Sequence, residues 1–289
     1  MATSETLASR AVTIERLAAI DVEPGLALSD AAGWNQNADD WAFFIGHGQA
    51  FGIRDDARRL VATAAALPYG GGVGWISMVL VEAGHRHRGH ATRLLGACVN
   101  ALRSSARVPL LDATPDGAGV YGRAGFVGGF AFERWQGEAA PQAAFADRDR
   151  AVAAGDVDAR ESLLALDRSA WGIDRAALLR AFLDRPTTCA WMAPEAKGFA
   201  LLRAGRRAQQ IGPVIAADER AAMALVEQAL AAASGRVFID VPTRWTALAA
   251  LLDGRGFVRQ RTFRRMALGD SPALSSSERV FALAGPEFG

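Results

Sequence analysis

The sequence predicts an α/β protein built from two related halves in tandem, and three observations carry that prediction. Apolar runs of strand length alternate with turn signals in both halves. A long amphipathic helix follows the central strands of the first half, and a counterpart follows those of the second. Between them, residues 138–155, rich in Ala, Asp, Arg and Gln and holding Pro141 and Gly155, read as a linker. That divides the chain into domains at 1–137 and 156–289. The length of 289 residues agrees, since domains are commonest at ~100–150.

In the first half, Val12, Thr13 and Ile14 read as an opening strand, and 28–44 as a polar helical stretch carrying Trp34 and Trp41. Strands are expected at 49–53, 60–66 and 73–81. Residues 60–81 carry no charge and match the ~20 apolar residues of a membrane span. Pro68, Tyr69, Gly70, Gly71 and Gly72 form a turn signature in the middle, so the stretch reads as strand, turn, strand. Ala91, Leu94, Leu95, Cys98, Val99 and Leu102 recur at helical spacing as one apolar stripe. A buried strand at 108–113, a short helix at 117–124 and a strand at 126–135 complete the half.

The second half repeats this grammar. Residues 210–216 match the strand at 73–81, residues 221–233 the long helix, and 236–240 the strand at 108–112. Gly256 and Phe257 match Gly125 and Phe126, and each Phe precedes an arginine by eight positions, Arg134 and Arg265.

Composition excludes several classes. With 51% apolar and 22% charged residues the chain is globular rather than disordered. A net charge of +1 offers no basic excess for nucleic acid. Glu5, Arg10, Glu15 and Arg16 interrupt any signal-peptide core, so a cytoplasmic location and no membrane partner are expected. Two cysteines, Cys98 and Cys189, make no disulfide framework and no zinc site. His85, His87 and His90 share one loop, but their spacing matches no common zinc motif, and no metal is expected.

The segment that carries chemistry joins the strand at 73–81 to the amphipathic helix. Gly89 and Ala91 have minimal side chains, so turn amides can approach a ligand there. The first helical amides lack intrahelical acceptors, and the helix dipole adds positive character. Together these bind a phosphate or diphosphate, with Arg86 and Arg88 at the rim. No Gly-Lys-Ser/Thr follows, which disfavours phosphate-loop nucleotide chemistry.

With these residues the chain resembles the GNAT superfamily of acyltransferases. Arg86-x-x-Gly89-x-Ala91 resembles that family's diphosphate loop Q/R-x-x-G-x-G/A, and Tyr121-x-x-x-Gly125-Phe126 its Y-x-x-x-G-F ending. Gly33 to Gln36, residues 111–117 and the divergent second copy resemble a bacterial tandem type. The resemblance implies two GNAT-like domains, each a mixed, mainly antiparallel sheet flanked by helices, and acetyl-CoA as cosubstrate. It implies that the amides of His87, Arg88, Gly89, His90, Ala91 and Thr92 hold the diphosphate. Main-chain groups of Val79, Leu80 and Val81 would pair with pantetheine. Thr114 stands where the family often has a cofactor-contacting Asn, and Tyr121 where it has the proton donor to the leaving thiolate. A phenol suits that task because it stays protonated at neutral pH.

No general base is evident in the strand at 73–81. Asp112 shares a strand face with Thr114 and could take a proton, anchor a substrate cation, or brace a loop; a water relay is equally open. Trp34, Asn35, Gln36, Trp75 and Asp240 are the candidate acceptor-binding residues, with a buried structural carboxylate as the other reading of Asp240. The second copy lacks the loop glycine, carries Asp218 and Glu219 where a phosphate would lie, and has Leu252 in place of the tyrosine. One active centre, in the first half, is therefore expected. The resemblance implies N-acetyl transfer to a small-molecule amine by direct attack in a ternary complex, in a monomer or homodimer. A non-catalytic acyl-CoA sensor and a protein N-acetyltransferase are the alternatives.

Overall fold

The computed structural model describes residues 12–140, 151–153, 155–271, 273 and 277–289. The middle of the expected linker, 141–150, lies outside the described residues.

The first half opens with β1 (Glu15–Arg16), followed by α1 (Val22–Ala31) and α2 (Ala38–Gly46). Strands β2 (Gln49–Arg54), β3 (Leu60–Pro68) and β4 (Val73–Val81) follow as an antiparallel meander. Then come α3 (His90–Arg103), β5 (Val108–Ala113), α4 (Pro115–Arg123) and β6 (Val127–Ala139). The stripe on α3 buries Leu94, Leu95, Cys98 and Leu102 against β3 and β4. Helix and strand approach so closely that a Cβ on Gly74 would lie 2.2 Å from the Leu102 side chain.

Two expectations are corrected. Residues 12–14 are not a strand: pairing with β2 is confined to Glu15 and Arg16, opposite Gly52 and Phe51. Val12 and Ile14 pack on the apolar cluster beneath α3 without strand pairing. Residues 28–44 form two helices, not one. Gly33, at φ 75°, leaves the helical region. Asn37 then caps α2, accepting from the Asp40 amide at 3.0 Å while Asp40 accepts from the Asn37 amide at 3.0 Å. Trp34, Asn35 and Gln36 consequently sit on the connection between the helices.

The second half begins with α5 (Val157–Trp171) and α6 (Ala176–Leu183) and continues with β7 (Cys189–Met192), β8 (Gly198–Arg203) and β9 (Gln209–Ala216). It continues with α7 (Glu219–Ala232), β10 (Gly235–Pro242), α8 (Thr246–Gly254), β11 (Val258–Ala267) and β12 (Val280–Ala282). The order of elements mirrors the first half as the sequence repeat predicts.

All strands join one twelve-stranded sheet in the order β1-β2-β3-β4-β5-β11-β6-β10-β9-β8-β7, with β12 on β9. Most pairs are antiparallel; β4–β5 and β9–β10 are parallel. The halves exchange strands at the centre. β11 of the second half lies between β5 and β6 of the first, and β6 pairs with β10 of the second. Among the described residues, no helix is long and apolar enough to cross a membrane.

Candidate active site

The site begins where β4 and β5 part. They pair only from Val73 to Trp75 against Val108 to Leu110. Beyond Trp75 the register of β4 shifts at Met78, a non-glycine residue at φ 54° whose carbonyl accepts from the Thr63 hydroxyl at 2.9 Å. A bulge of this kind re-aims main-chain groups. The far end of β4 is thus paired to β3 on one side only, leaving the β5-facing edge open. A groove runs along it between Val79, Leu80 and Val81 on the strand side and Gly89, Ala91 and Thr92 at the mouth of α3.

Gly89 is the N-cap of α3 at φ 76°, in the left-handed region that favours glycine, with open space where a Cβ would stand. No side chain caps the helix and its first turn holds no acid, so its leading amides are free for an external anion. His90, the first residue of α3, is buried, and burial with the Arg93 charge lowers its pKa, which keeps the imidazole neutral. Arg88 lies off the groove, with its guanidinium on the Gly84 carbonyl at 3.1 Å. The His-rich loop makes no metal cluster among the described residues.

The groove opens into a cavity of 320 Å³, with Trp34, Val79, Ala91 and Val120 common to both. Of the expected residues, Trp34, Asn35, Gln36, Asp112, Thr114 and Tyr121 line the cavity. Tyr121 is half-buried on α4, its ring edge-on to Phe126 at 6.1 Å. Burial pushes its phenol above 10, so it holds its proton. Thr114 caps α4, its hydroxyl accepting from the Gly117 amide at 3.3 Å.

Four expected residues have structural partners that define their positions. Asp112, with a fully buried side chain, accepts two hydrogen bonds from Arg265, at 3.0 and 3.1 Å. Burial pushes its carboxyl up and the Arg265 guanidinium pulls against that shift. Asp240 is 0% exposed, does not line the cavity, and accepts from Arg134 at 2.8 and 2.7 Å and from Gln210 at 3.1 Å. Trp75 also lies off the cavity, under the Arg265 guanidinium at 4.4 Å, and donates to the Pro286 carbonyl at 3.0 Å. Asn35 clamps the two halves: its side chain bonds the main chain of Arg207 and Ala208, and its carbonyl accepts from the Arg206 amide.

Sequence reasoning missed what the segment 280–289 does. In the second half, β12 pairs with Val214 and Ile215 of β9, the counterparts of Val79 and Leu80. Leu283 then donates to the Asp240 carbonyl of β10 at 2.9 Å, so the chain itself fills the second opening. Gly212 admits it, since a Cβ there would lie 2.0 Å from the Leu283 oxygen. Asp218 caps α7 by accepting from the Ala221 amide at 2.8 Å, placing a carboxylate where the first half leaves free amides. The segment then crosses to the first-half cavity, where Pro286 and Glu287 join the lining. The signal for Glu287 was present: it is the only charged residue in 280–288.

The comparisons with known proteins agree with this architecture. An acetyltransferase (GNAT) family model matches residues 17–126, and an acetyltransferase (GNAT) domain model matches 163–282. The chain is 23% identical over 242 residues to the uncharacterized N-acetyltransferase YitH of Bacillus subtilis, covering 80% of this chain and 83% of that protein. A putative acetyltransferase from Pyrococcus horikoshii shares the fold at TM-score 0.79 and 19% identity, over 100% of this chain and 99% of the other. A tandem GNAT protein of the clavulanic acid biosynthesis pathway does so at 0.59 and 15%, over 90% and 99%. The chain belongs to the GNAT superfamily, as a tandem member with one acetyltransferase domain in each half, and is a GNAT-type N-acetyltransferase.

Proposed function

We propose that the first half transfers an acetyl group from acetyl-CoA to the amine of a small molecule, by direct attack while both are bound. The observation that carries this reading is the contrast between the two halves. The β4 edge and the mouth of α3 are free, whereas their counterparts are covered by β12 and Asp218. The free groups fit coenzyme A chemically: main-chain amides and carbonyls suit the pantetheine amides, and the uncapped helix suits the diphosphate.

The amides from His87 to Thr92 would hold the diphosphate, and Val79, Leu80 and Val81 would align pantetheine along β4. Tyr121 would offer its proton to the departing sulfur. Thr114 would keep α4 seated so that Tyr121 stays in place. Asp112 serves better as a brace than as a base, because Arg265 occupies both its oxygens. The Asn35 clamp and the segment 280–289 wall the cavity from the second half, which favours a small acceptor over a protein chain.

The testing experiment measures acetyl-CoA-dependent release of free thiol across a panel of amines and amino acids, with CoA affinity measured in parallel. Amine-dependent release supports the reading. CoA binding with no release by any amine supports the sensor alternative.

A further inference from the structure

The cavity contains a carboxylate that the fold leaves without a full set of partners. Glu287 lines it, and among the described residues its Oε2 has no hydrogen-bond donor. The Gln36 side chain and the Glu287 backbone amide serve the carboxylate otherwise. Two further acceptors on the lining lack donors, Gln36 Oε1 and Ser77 Oγ. Buried polar groups left unsatisfied are rare and costly, and here three surround one cavity. A primary ammonium brings three N–H donors and a positive charge.

The neighbouring cations do not fill this need. Arg134 of β6 is committed to Asp240 of β10, and Arg185 to Asp40 of α2 at 2.7 Å. Arg203 of β8 donates to the carbonyls of Gly212 in β9 and of Ala284, tying the segment 280–289 to that strand. Tyr69 donates to the Phe288 carbonyl at 2.9 Å. Burial therefore pushes the Glu287 carboxyl up, against the pull of Arg134 and with the push of Asp40. The position is built: a Cβ on Gly285, at φ 132°, would come within 2.9 Å of Glu287 Oε2, so glycine makes room for the folded-back carboxylate.

We infer that Glu287 is the catalytic residue that receives the acceptor as a primary ammonium and removes its proton, with Gln36 and Ser77 as the other acceptors. The inference rests on the acetyl-transfer reading and adds to it the base and the charge state of the substrate. The Glu287 carboxylate takes one proton, freeing the nitrogen lone pair to form the C–N bond as the C–S bond breaks. Tyr121 protonates the sulfur, and the nitrogen's second proton restores the phenol. Glu287 then returns its proton to solvent. One ammonium and one thioester give one amide, one thiol and one released proton.

The test uses the full chain with butylamine and 2-phenylethylamine as probes at saturating acetyl-CoA. Glu287→Gln is expected to lower kcat/KM about 10²-fold or more, the scale of a lost general base. It should also move the acid limb of the pH profile to the probe's own pKa while CoA affinity stays within twofold, which reports an intact fold. Glu287→Asp should recover part of the rate. A Glu287→Gln protein with kcat/KM within threefold of wild type and the same acid limb overturns the inference while leaving acetyl transfer standing. Absence of release by the wild type with both probes counts against acetyl transfer. The inference is then decided by calorimetry with CoA present: butylammonium must bind wild type at least tenfold more tightly than Glu287→Gln, and a smaller ratio overturns it.

Discussion

Arg265 holds Asp112 as Arg134 holds Asp240, so each half supplies the arginine that neutralises the other half's buried aspartate. The Arg265 guanidinium also lies within 4.7 Å of the ring centroids of Trp75, Phe130 and Trp171. The two ion pairs sit on opposite sides of the β11–β6 junction and mark the strand exchange chemically.

Removing one partner leaves a buried charge without compensation. Arg265→Ala should cost about 3–5 kcal/mol, the scale found when buried pairs are broken from one side. The double replacement Arg265→Met with Asp112→Leu should recover most of that loss. Urea unfolding of the three proteins measures both.

Tyr121→Phe keeps the ring against Phe126 and removes only the hydroxyl that would donate the proton. Turnover should fall by about 10²–10⁴ with CoA affinity unchanged. Because burial raises the phenol above 10, wild-type turnover should show no alkaline loss caused by Tyr121 below that pH.

Gly89→Glu should abolish CoA binding, by placing a carboxylate at the mouth of α3. Gly89→Ala should cost about 1–2 kcal/mol of stability for its left-handed conformation, and should retain measurable CoA affinity. Calorimetric titration separates the two variants, and micromolar binding by Gly89→Glu would refute the loop assignment.

The second opening should be inert. Phe281→Ala, which removes the ring stacked on Trp245 at 4.0 Å, should cost about 3–5 kcal/mol. The number of CoA molecules bound per chain should stay at one.

Glu287 should also register in the dependence of stability on pH. Its folded pKa is raised, so the folded chain binds the proton more tightly than the unfolded chain. Its contribution is full below the ordinary value of 4.5 and is lost as pH rises through the folded value. Subtracting the Glu287→Gln stability curve from that of wild type should show a difference that declines with rising pH. A flat difference would mean the carboxyl is not perturbed.

Much of the architecture was legible because it is local. The runs at 73–81 and 108–113 are bounded by turn signals and agree with β4 and β5 residue for residue. The repeat exposed both arginines and both aspartates by spacing alone. Their crossed pairing was not legible, because partner choice depends on strand order, which alternation does not encode. Trp34 reads as helical in the sequence because a polar stretch with scattered aromatics hides a break made by one glycine and one capping asparagine. Glu287 stands out as a lone charge in an apolar run, but nothing in that run ties it to Tyr121, which is far away in sequence.

The exchange of β11 and β6 bears on how the chain is made. Arg265 and Asp112 stand 153 residues apart, so the slot between β5 and β6 is empty until β11 has left the ribosome. Until then the nascent first half carries unsealed edges on β5 and β6, the kind of surface that recruits stray strands or chaperones.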